Sequence, residues 1–295
     1  MSVRGPWIDV VVTGAAAVVV RDPSEAADPT PWLKVRKSRK FMGVQDDLAV
    51  VAAGRAIEAA GLSRALGERA GLFLAVGYIP FEKKDIDPVL AASLDDAGAF
   101  SMARFSNGGF QKAHPLLTFR CLPNMPAYHV SVCFDVQGPY LVTYPGAAQF
   151  YLALEEAVAA LAEDRVDVAL VGGVAHQRNF LVEHHFARVV PPVPKEDLRD
   201  AAAVLVLERA SSASARGAQA RASLASFTLA YTPFDALEAM PRAFDSSASE
   251  GDLGAASVPA AVARAIALGA DTSHRTTSRD GLAGESTWRI PGAPR

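Results

Sequence analysis

The chain has 295 residues, half of them hydrophobic, so it can bury a large core as one big domain or as two closely packed halves. A formal net charge of −3 supplies no global field for nucleic acid or an anionic membrane, and neither is expected as a partner. Two cysteines without metal-type spacing predict a reducing, cytoplasmic setting with no disulfide frame and no metal. Met1 to Trp7 lacks the charged and apolar regions of a signal peptide, and no uncharged apolar run is long enough to span a bilayer.

Ile8 to Val20 is β-branched and Ala-rich and reads as a buried strand pair or hairpin around Gly14. Pro23 to Pro31 is a polar loop. Lys34, Arg36, Lys37, Arg39 and Lys40 make the densest positive run, which reads first as a solvated loop entering a helix. Docking of an acidic partner is its functional alternative. From Gly43, the residues Val44, Leu48, Val51, Ala52, Ile57 and Ala60 recur at helical spacing until Gly61 closes the helix. Gly71 to Gly77 is a strand buried on both faces. Gly138 to Gln149 reads as a short apolar strand, a sharp turn and the start of a helix that runs from Ala147 to Leu161. Val166 to Val171 and Ala201 to Glu208 are further strands, and Arg209 to Arg221 is small and helical in character. Strand, helix and strand with short links predict parallel pairing through right-handed crossovers, an α/β sandwich.

Several catalytic patterns fail on spacing. Gly14, Gly43 and Gly54 do not assemble a dinucleotide or phosphate loop. The serines of 211–214 and 246–249 lie in polar linkers without the strand-turn-helix elbow that a nucleophile requires. Cys121 and Cys133 sit in apolar settings and read as small core hydrophobes. His184 and His185 are adjacent, so their side chains diverge and surface or packing roles are expected. His176 follows the Gly172-Gly173 turn; it could face a pocket, but an exposed loop histidine is the commoner outcome.

Leu122-Pro123-Asn124-Met125-Pro126-Ala127, Gly138-Pro139, Val168 to Gly173 and Ala201 to Glu208 occur in an order that resembles the first half of a β-ketoacyl synthase. The resemblance runs from residue 8 to about 208 and is strongest from Leu122 to Gly173. It implies a thiolase-like layered α-β-α sandwich with a reduced C-terminal half. Residues 1–221 would be the ketosynthase-like N-terminal half, and 222–295 an abbreviated C-terminal half of the same domain. In that family a nucleophilic Cys lies nine residues after the Gly of Gly-Pro; here that position is Ala147. The thiolate is both nucleophile and leaving group for a thioester, and a helix N-terminus activates it. A methyl group does none of this. Gly251 to Ala256 resembles a second catalytic motif, with Asp252 roughly where His belongs, and no His-Gly-Thr occurs anywhere. Ser278 to Gly284 and Ser286 to Ile290 resemble the Gly-rich loop and last strand. Some relatives use Gln in place of Cys as decarboxylases, but Gln149 lies two residues past the elbow position and lacks His partners.

A condensing scaffold without Cys and His looks like a chain-length factor of a type II polyketide synthase, closest to the shortened aryl-polyene group. The resemblance implies a catalytically silent subunit without cofactor or metal. Its partners would be an active ketosynthase, as a heterodimer, and transiently an acyl carrier protein docked on the run from Lys34 to Lys40. Homodimerisation stays open. Tyr140 to Tyr144 would be an edge strand continuing into the partner. Phe105, Phe110, Phe119, Asn124, Met125, Tyr128, Phe134, Tyr140, Tyr144, Gln149 and Phe150 would face the interface or the acyl tunnel, with ordinary core as the alternative for each aromatic. Two other classes stay open: a free-standing thiolase-fold acyltransferase or decarboxylase with a different nucleophile, and a carrier-protein-binding scaffold.

Overall fold

The β-branched run near the N-terminus forms one strand, not the expected hairpin. β1 (Val10–Val20) is continuous, with a register shift between Val12 and Gly14. Gly14 is used for close approach rather than for a turn. A Cβ there would run into the Ala56 carbonyl and stand 2.7 Å from the Ala60 amide, so its absence lets the first helix lie on the strand. In the computed structural model, residues 8–22, 25–188, 192–232, 251–278 and 281–293 are described. Met1 to Trp7, the serines of 246–249 and residues 279–280 of the expected Gly-rich loop lie outside the described residues.

After β1 come α1 (Val44–Ala59) and β2 (Ala70–Val76). The long connection that follows holds α2 (Lys83–Ala91), α3 (Met102–Arg104), α4 (Leu117–Cys121) and α5 (Met125–Phe134). β3 (Tyr140–Thr143), α6 (Gln149–Ala162), β4 (Val168–Ala175) and α7 (Phe180–Ala187) complete the strand-helix-strand unit. β5 (Asp200–Arg209), the short α8 (Ala210–Ala215) and β6 (Ala222–Tyr231) precede α9 (Ser257–Leu268), β7 (Thr272–Thr277) and β8 (Leu282–Arg289). α8 covers only part of the helical stretch expected over Arg209 to Arg221.

The strands lie in the order β3-β2-β4-β5-β1-β6-β8-β7. β2 pairs in parallel with β3 and β4, as the crossover argument requires, whereas β5 is antiparallel to both β4 and β1. Every residue of β2 is buried, as expected of a parallel strand covered on both faces. β4 extends past the expected Val171 because Gly172 and Gly173 stay in the strand; a Cβ on either would collide with the Ala203 or Ala255 carbonyl. β1 and β6 join through only two register pairs, Val11 with Ser223 and Val12 with Ala222. The sheet therefore behaves as two half-sheets.

α1 and α5 cover one face of the first half-sheet. α6 lies between the half-sheets, touching β2 and β4 on one side and β6 and β8 on the other. Phe150, Tyr151, Leu154 and Leu161 of α6 pack there against Phe73, Phe227 and Trp288. In β8 burial alternates strictly, so one face meets α6 and the other carries polar residues such as Glu285, opposite Arg275 of β7. The result is a layered α/β architecture, helix on sheet on helix, with the β6-β8-β7 end of the same sheet meeting α6 from its other side.

Candidate functional site

β3 leaves the sheet at Thr143 and reaches α6 through Tyr144-Pro145-Gly146-Ala147-Ala148. Gly146 has φ of 110°, a conformation that a side chain would disfavour. The Thr143 hydroxyl donates to the Gln149 carbonyl at 2.9 Å and closes the turn. Ala147 is half-buried at this strand-to-helix elbow, and Ala148 is fully buried behind it. The amides of Gln149, Phe150 and Tyr151 already donate to the carbonyls of Gly146, Ala147 and Ala148. Gln149 is buried in the first turn of α6.

Asp252 is engaged in structure. Its Oδ1 accepts from the Gln177 side chain at 2.9 Å and from the Gly254 amide at 2.8 Å, closing the loop that leads to α9. Its carbonyl accepts from the Arg199 amide at 3.0 Å. Both cysteines are buried, and Cys133 lies in the cluster on the α1 side of the sheet, opposite α6. Burial pushes both thiols above their usual range, with Arg120 partly offsetting it for Cys121 and Lys34 for Cys133. Neither is an activated nucleophile.

His185 packs in an aromatic cluster beside the elbow: its Nε2 is 3.2 Å from the Tyr78 hydroxyl, and Tyr78 in turn stands edge-on to Tyr144. His184 contacts Arg188 one turn on. His176 is not the exposed loop residue expected from its position. β4 continues to Ala175, whose partner in β5 is Ala201, and this register sets His176 Nδ1 2.9 Å from Asp200 Oδ1. Burial alone would raise the Asp200 carboxyl; the His176 ring and the amides of Arg178 and Gln177 hold it below the ordinary range.

The expected interface and tunnel residues divide in two. Phe134 and Phe150 are fully buried, on opposite faces of the first half-sheet, and Met125 is also core. Asn124 is the residue preceding α5. Phe110, Phe119, Tyr128, Tyr140 and Tyr144 reach the surface, Tyr140 being 71% exposed, while Phe105 is half-buried. β3 does form one edge of the sheet. Sequence reasoning missed Phe100 and Met102, exposed beside the contacting rings of Phe105 and Phe110, because this stretch shows neither helical nor strand periodicity.

The basic run is a 3₁₀ turn (Arg36–Phe41), not an open loop, and several of its charges are spent internally. Lys34 lies 3.6 Å from Asp135, Arg39 2.7 Å from Asp47, and the Lys40 ammonium over the Phe41 ring. Asp47 is buried near the start of α1, and burial raises its carboxyl to about 7 despite Arg39. Asp46, whose Oδ2 accepts the Gly43 amide at 2.6 Å, is raised well above its usual range by burial as well. Among the described residues no cluster of three His, Cys, Asp or Glu could hold a metal, and no helix is long and apolar enough to cross a membrane.

Comparison with known proteins places this geometry. No curated protein matches the chain. Among solved structures, a complex described as "AntDE:AntF (apo): type II PKS acyl-carrier protein in complex with its ketosynthase bound to the hexaketide" is similar with a TM-score of 0.72 at 14% identity, covering 96% of this chain and 100% of the other. A β-ketoacyl synthase from Burkholderia phymatum STM815 gives 0.67 at 15% identity over 96% and 100%. The ishigamide ketosynthase/chain length factor gives 0.66 at 19% identity over 97% and 100%. These likenesses establish the thiolase-like ketosynthase fold. The family described as "Beta-ketoacyl synthase, N-terminal domain" matches residues 9–188, from just before β1 through α7, and the chain belongs to that family.

Proposed function

We propose that this protein is a non-condensing ketosynthase-like subunit, a chain-length factor of the shortened aryl-polyene type. It pairs in the cytoplasm with an active β-ketoacyl synthase and shapes the acyl tunnel of a type II polyketide system. The observation that carries this reading is Ala147 at the elbow between β3 and α6, where an acyl chain would have to be held. Asp252, engaged with Gln177 and Gly254, supports it, as do the two raised, buried thiols. The likeness to a structure described as a ketosynthase/chain length factor supports the pairing, and that to a ketosynthase with its carrier protein supports transient contact with a carrier. In this reading the β3 edge meets the partner, and Phe105, Phe110, Phe119, Tyr128 and Tyr144 contribute to the interface or the tunnel wall. Coexpression with an active ketosynthase should yield a stable heterodimer that makes a polyketide of defined length, while the isolated chain acquires no label from an acyl or malonyl thioester. Stoichiometric labelling of the isolated chain would overturn the proposal in favour of a free-standing acyltransferase.

A further inference from the structure

A cavity of about 470 Å³ opens at the carboxyl ends of β2 and β4, next to the N-terminal turn of α1. Asp47 enters it from α1, His176 and Arg178 from the turn after β4, and Asp200 from the start of β5, while Val20, Val44 and Leu48 give it an apolar wall. This volume falls in the range of about 300–1,000 Å³ typical of small-molecule pockets.

Two buried polar atoms on this wall lack hydrogen-bond partners among the described residues: Asp47 Oδ1 and Arg178 Nη1. Asp47 is 8% exposed and fixed through its other oxygen by Arg39 at 2.7 Å. The Arg178 head is held by Nη2 donating to the Arg21 carbonyl at 2.6 Å and by Nε donating to the Leu198 carbonyl at 3.2 Å, which leaves Nη1 over. His176 Nδ1 stands 2.9 Å from Asp200 Oδ1 and is engaged with it. Buried groups left unmet are rare, and two converging on one cavity indicate an occupant that meets them.

The wall's charge restricts what that occupant is. Asp47, raised to about 7 and paired with Arg39, adds little net charge, and Glu82 and Asp200 balance Lys83 and Arg178, so a net ion of either sign gains no favourable field. The free Arg178 donor requires an acceptor, and the free Asp47 oxygen a donor. We propose that this cavity is a binding site for an uncharged small molecule with a carbonyl acceptor and an N–H or O–H donor on a short aliphatic frame, the chemistry of a hydroxy-amide. Arg178 Nη1 binds its carbonyl, Asp47 Oδ1 its donor, and Val20, Val44 and Leu48 its carbon chain. The site draws on the α1 side of the sheet and owes nothing to the identity of residue 147.

The test uses the full chain with ¹³C-labelled Val and Leu methyls, titrated with N-(2-hydroxyethyl)acetamide, and with 3-hydroxybutyrate and ethanolamine as charged controls. Saturable shifts at the Val20, Val44 and Leu48 methyls are expected with the amide alone. Arg178→Lys, which keeps the charge but loses the fork, should raise Kd about tenfold, a single lost hydrogen bond. Ala27→Phe fills the cavity from a half-buried loop position on its wall and should abolish the shifts; it decides the matter if Arg178→Lys does not fold. The proposal is overturned by shifts that do not saturate, by equal or tighter binding of 3-hydroxybutyrate, by unchanged binding in the folded variants, or by a crystal structure in which ordered water alone satisfies Asp47 Oδ1 and Arg178 Nη1 in the presence of the amide.

Discussion

Tyr151 of α6 donates its phenolic hydrogen to the carbonyl of His274 in β7 at 2.8 Å, which ties the central helix to the smaller half-sheet. The two half-sheets share only two direct register pairs, so their union depends on what lies between them. Tyr151→Phe keeps the ring and removes this hydrogen bond between the helix and β7; a loss of about 1 kcal/mol is expected. Gly284→Ala pushes a methyl into the same ring and should cost about 1–3 kcal/mol. The two residues share a contact, so the double variant should lose less than the sum. Urea unfolding of the four proteins checks this, and additive losses would contradict it.

Asp47 contributes a loss of stability as pH rises through the mid-acidic range. Its folded carboxyl is raised to about 7, above the ordinary unfolded value of about 3.9, so the folded chain binds more protons than the unfolded one between those limits. The contribution favours the fold at the acid end and is lost progressively up to about pH 7. Asp46, raised in the same direction, adds to it. Asp200, Asp164 and Asp167 are lowered and work the opposite way, losing stability as pH falls. The signature of Asp47 is therefore a difference: Asp47→Asn should gain stability relative to the unchanged protein as pH rises from about 4 to 7. Denaturant midpoints at a series of pH values measure it.

Where apolar periodicity was strong, the fold was legible. α1 begins and ends where Gly43 and Gly61 place it, and β2 is the doubly buried strand expected; the edge position of β3 followed from the family resemblance instead. Gly14 misled, because a glycine that permits a helix to approach looks the same in sequence as one that turns a chain. β6, β7 and α7 were not read at all. β7 is Thr-Ser-His-Arg-Thr-Thr, whose single buried face is too polar to show the alternation that marks a strand. The elbow at Ala147 was visible through its flanking Gly and Pro. The cavity at Asp47, Arg178 and Asp200 was not, since its walls come from positions up to 180 residues apart and are joined through the β1–β5 and β4–β5 registers and the packing of α1.

Ala147→Cys separates the shape of an elbow from its chemistry. The new thiol would stand half-buried beside the N-terminus of a 14-residue helix, a setting that favours thiolate, whereas Cys121 and Cys133 are held above their usual range by burial. Iodoacetamide should modify residue 147 at least about tenfold faster than either native cysteine. Condensation of acyl and malonyl thioesters should still be undetectable, because Asp252 holds the turn before α9 and offers no imidazole to the elbow. Mass spectrometry of modified peptides and a product assay read the two halves. Condensing activity in the single variant would mean that the missing thiol was the whole deficit.

The β3 edge, where the proposed pairing would occur, should be separable from the core. Tyr140 is the most exposed large side chain of β3 and pairs on its other side with Leu72 of β2, so its ring contributes little to the isolated fold. Tyr140→Glu places a charge on an edge that pairing would desolvate, and should weaken association with an active ketosynthase at least about tenfold. It should alter the stability of the chain alone by no more than about 0.5 kcal/mol. Phe150→Ala is the contrasting variant: its side chain is fully buried among β2, β4 and α6, and truncation should cost about 3–5 kcal/mol before any question of pairing arises. Phe119→Ala lies between them, 46% exposed with its ring edge-on to Phe41, and should leave the fold nearly intact while lengthening the product of the reconstituted pair if this ring closes the tunnel. Size-exclusion chromatography of the mixed subunits, urea unfolding and product mass together distinguish the three. An edge variant that pairs normally would move the interface away from β3, and the search for it would turn to the exposed ring cluster of Phe100, Phe105 and Phe110.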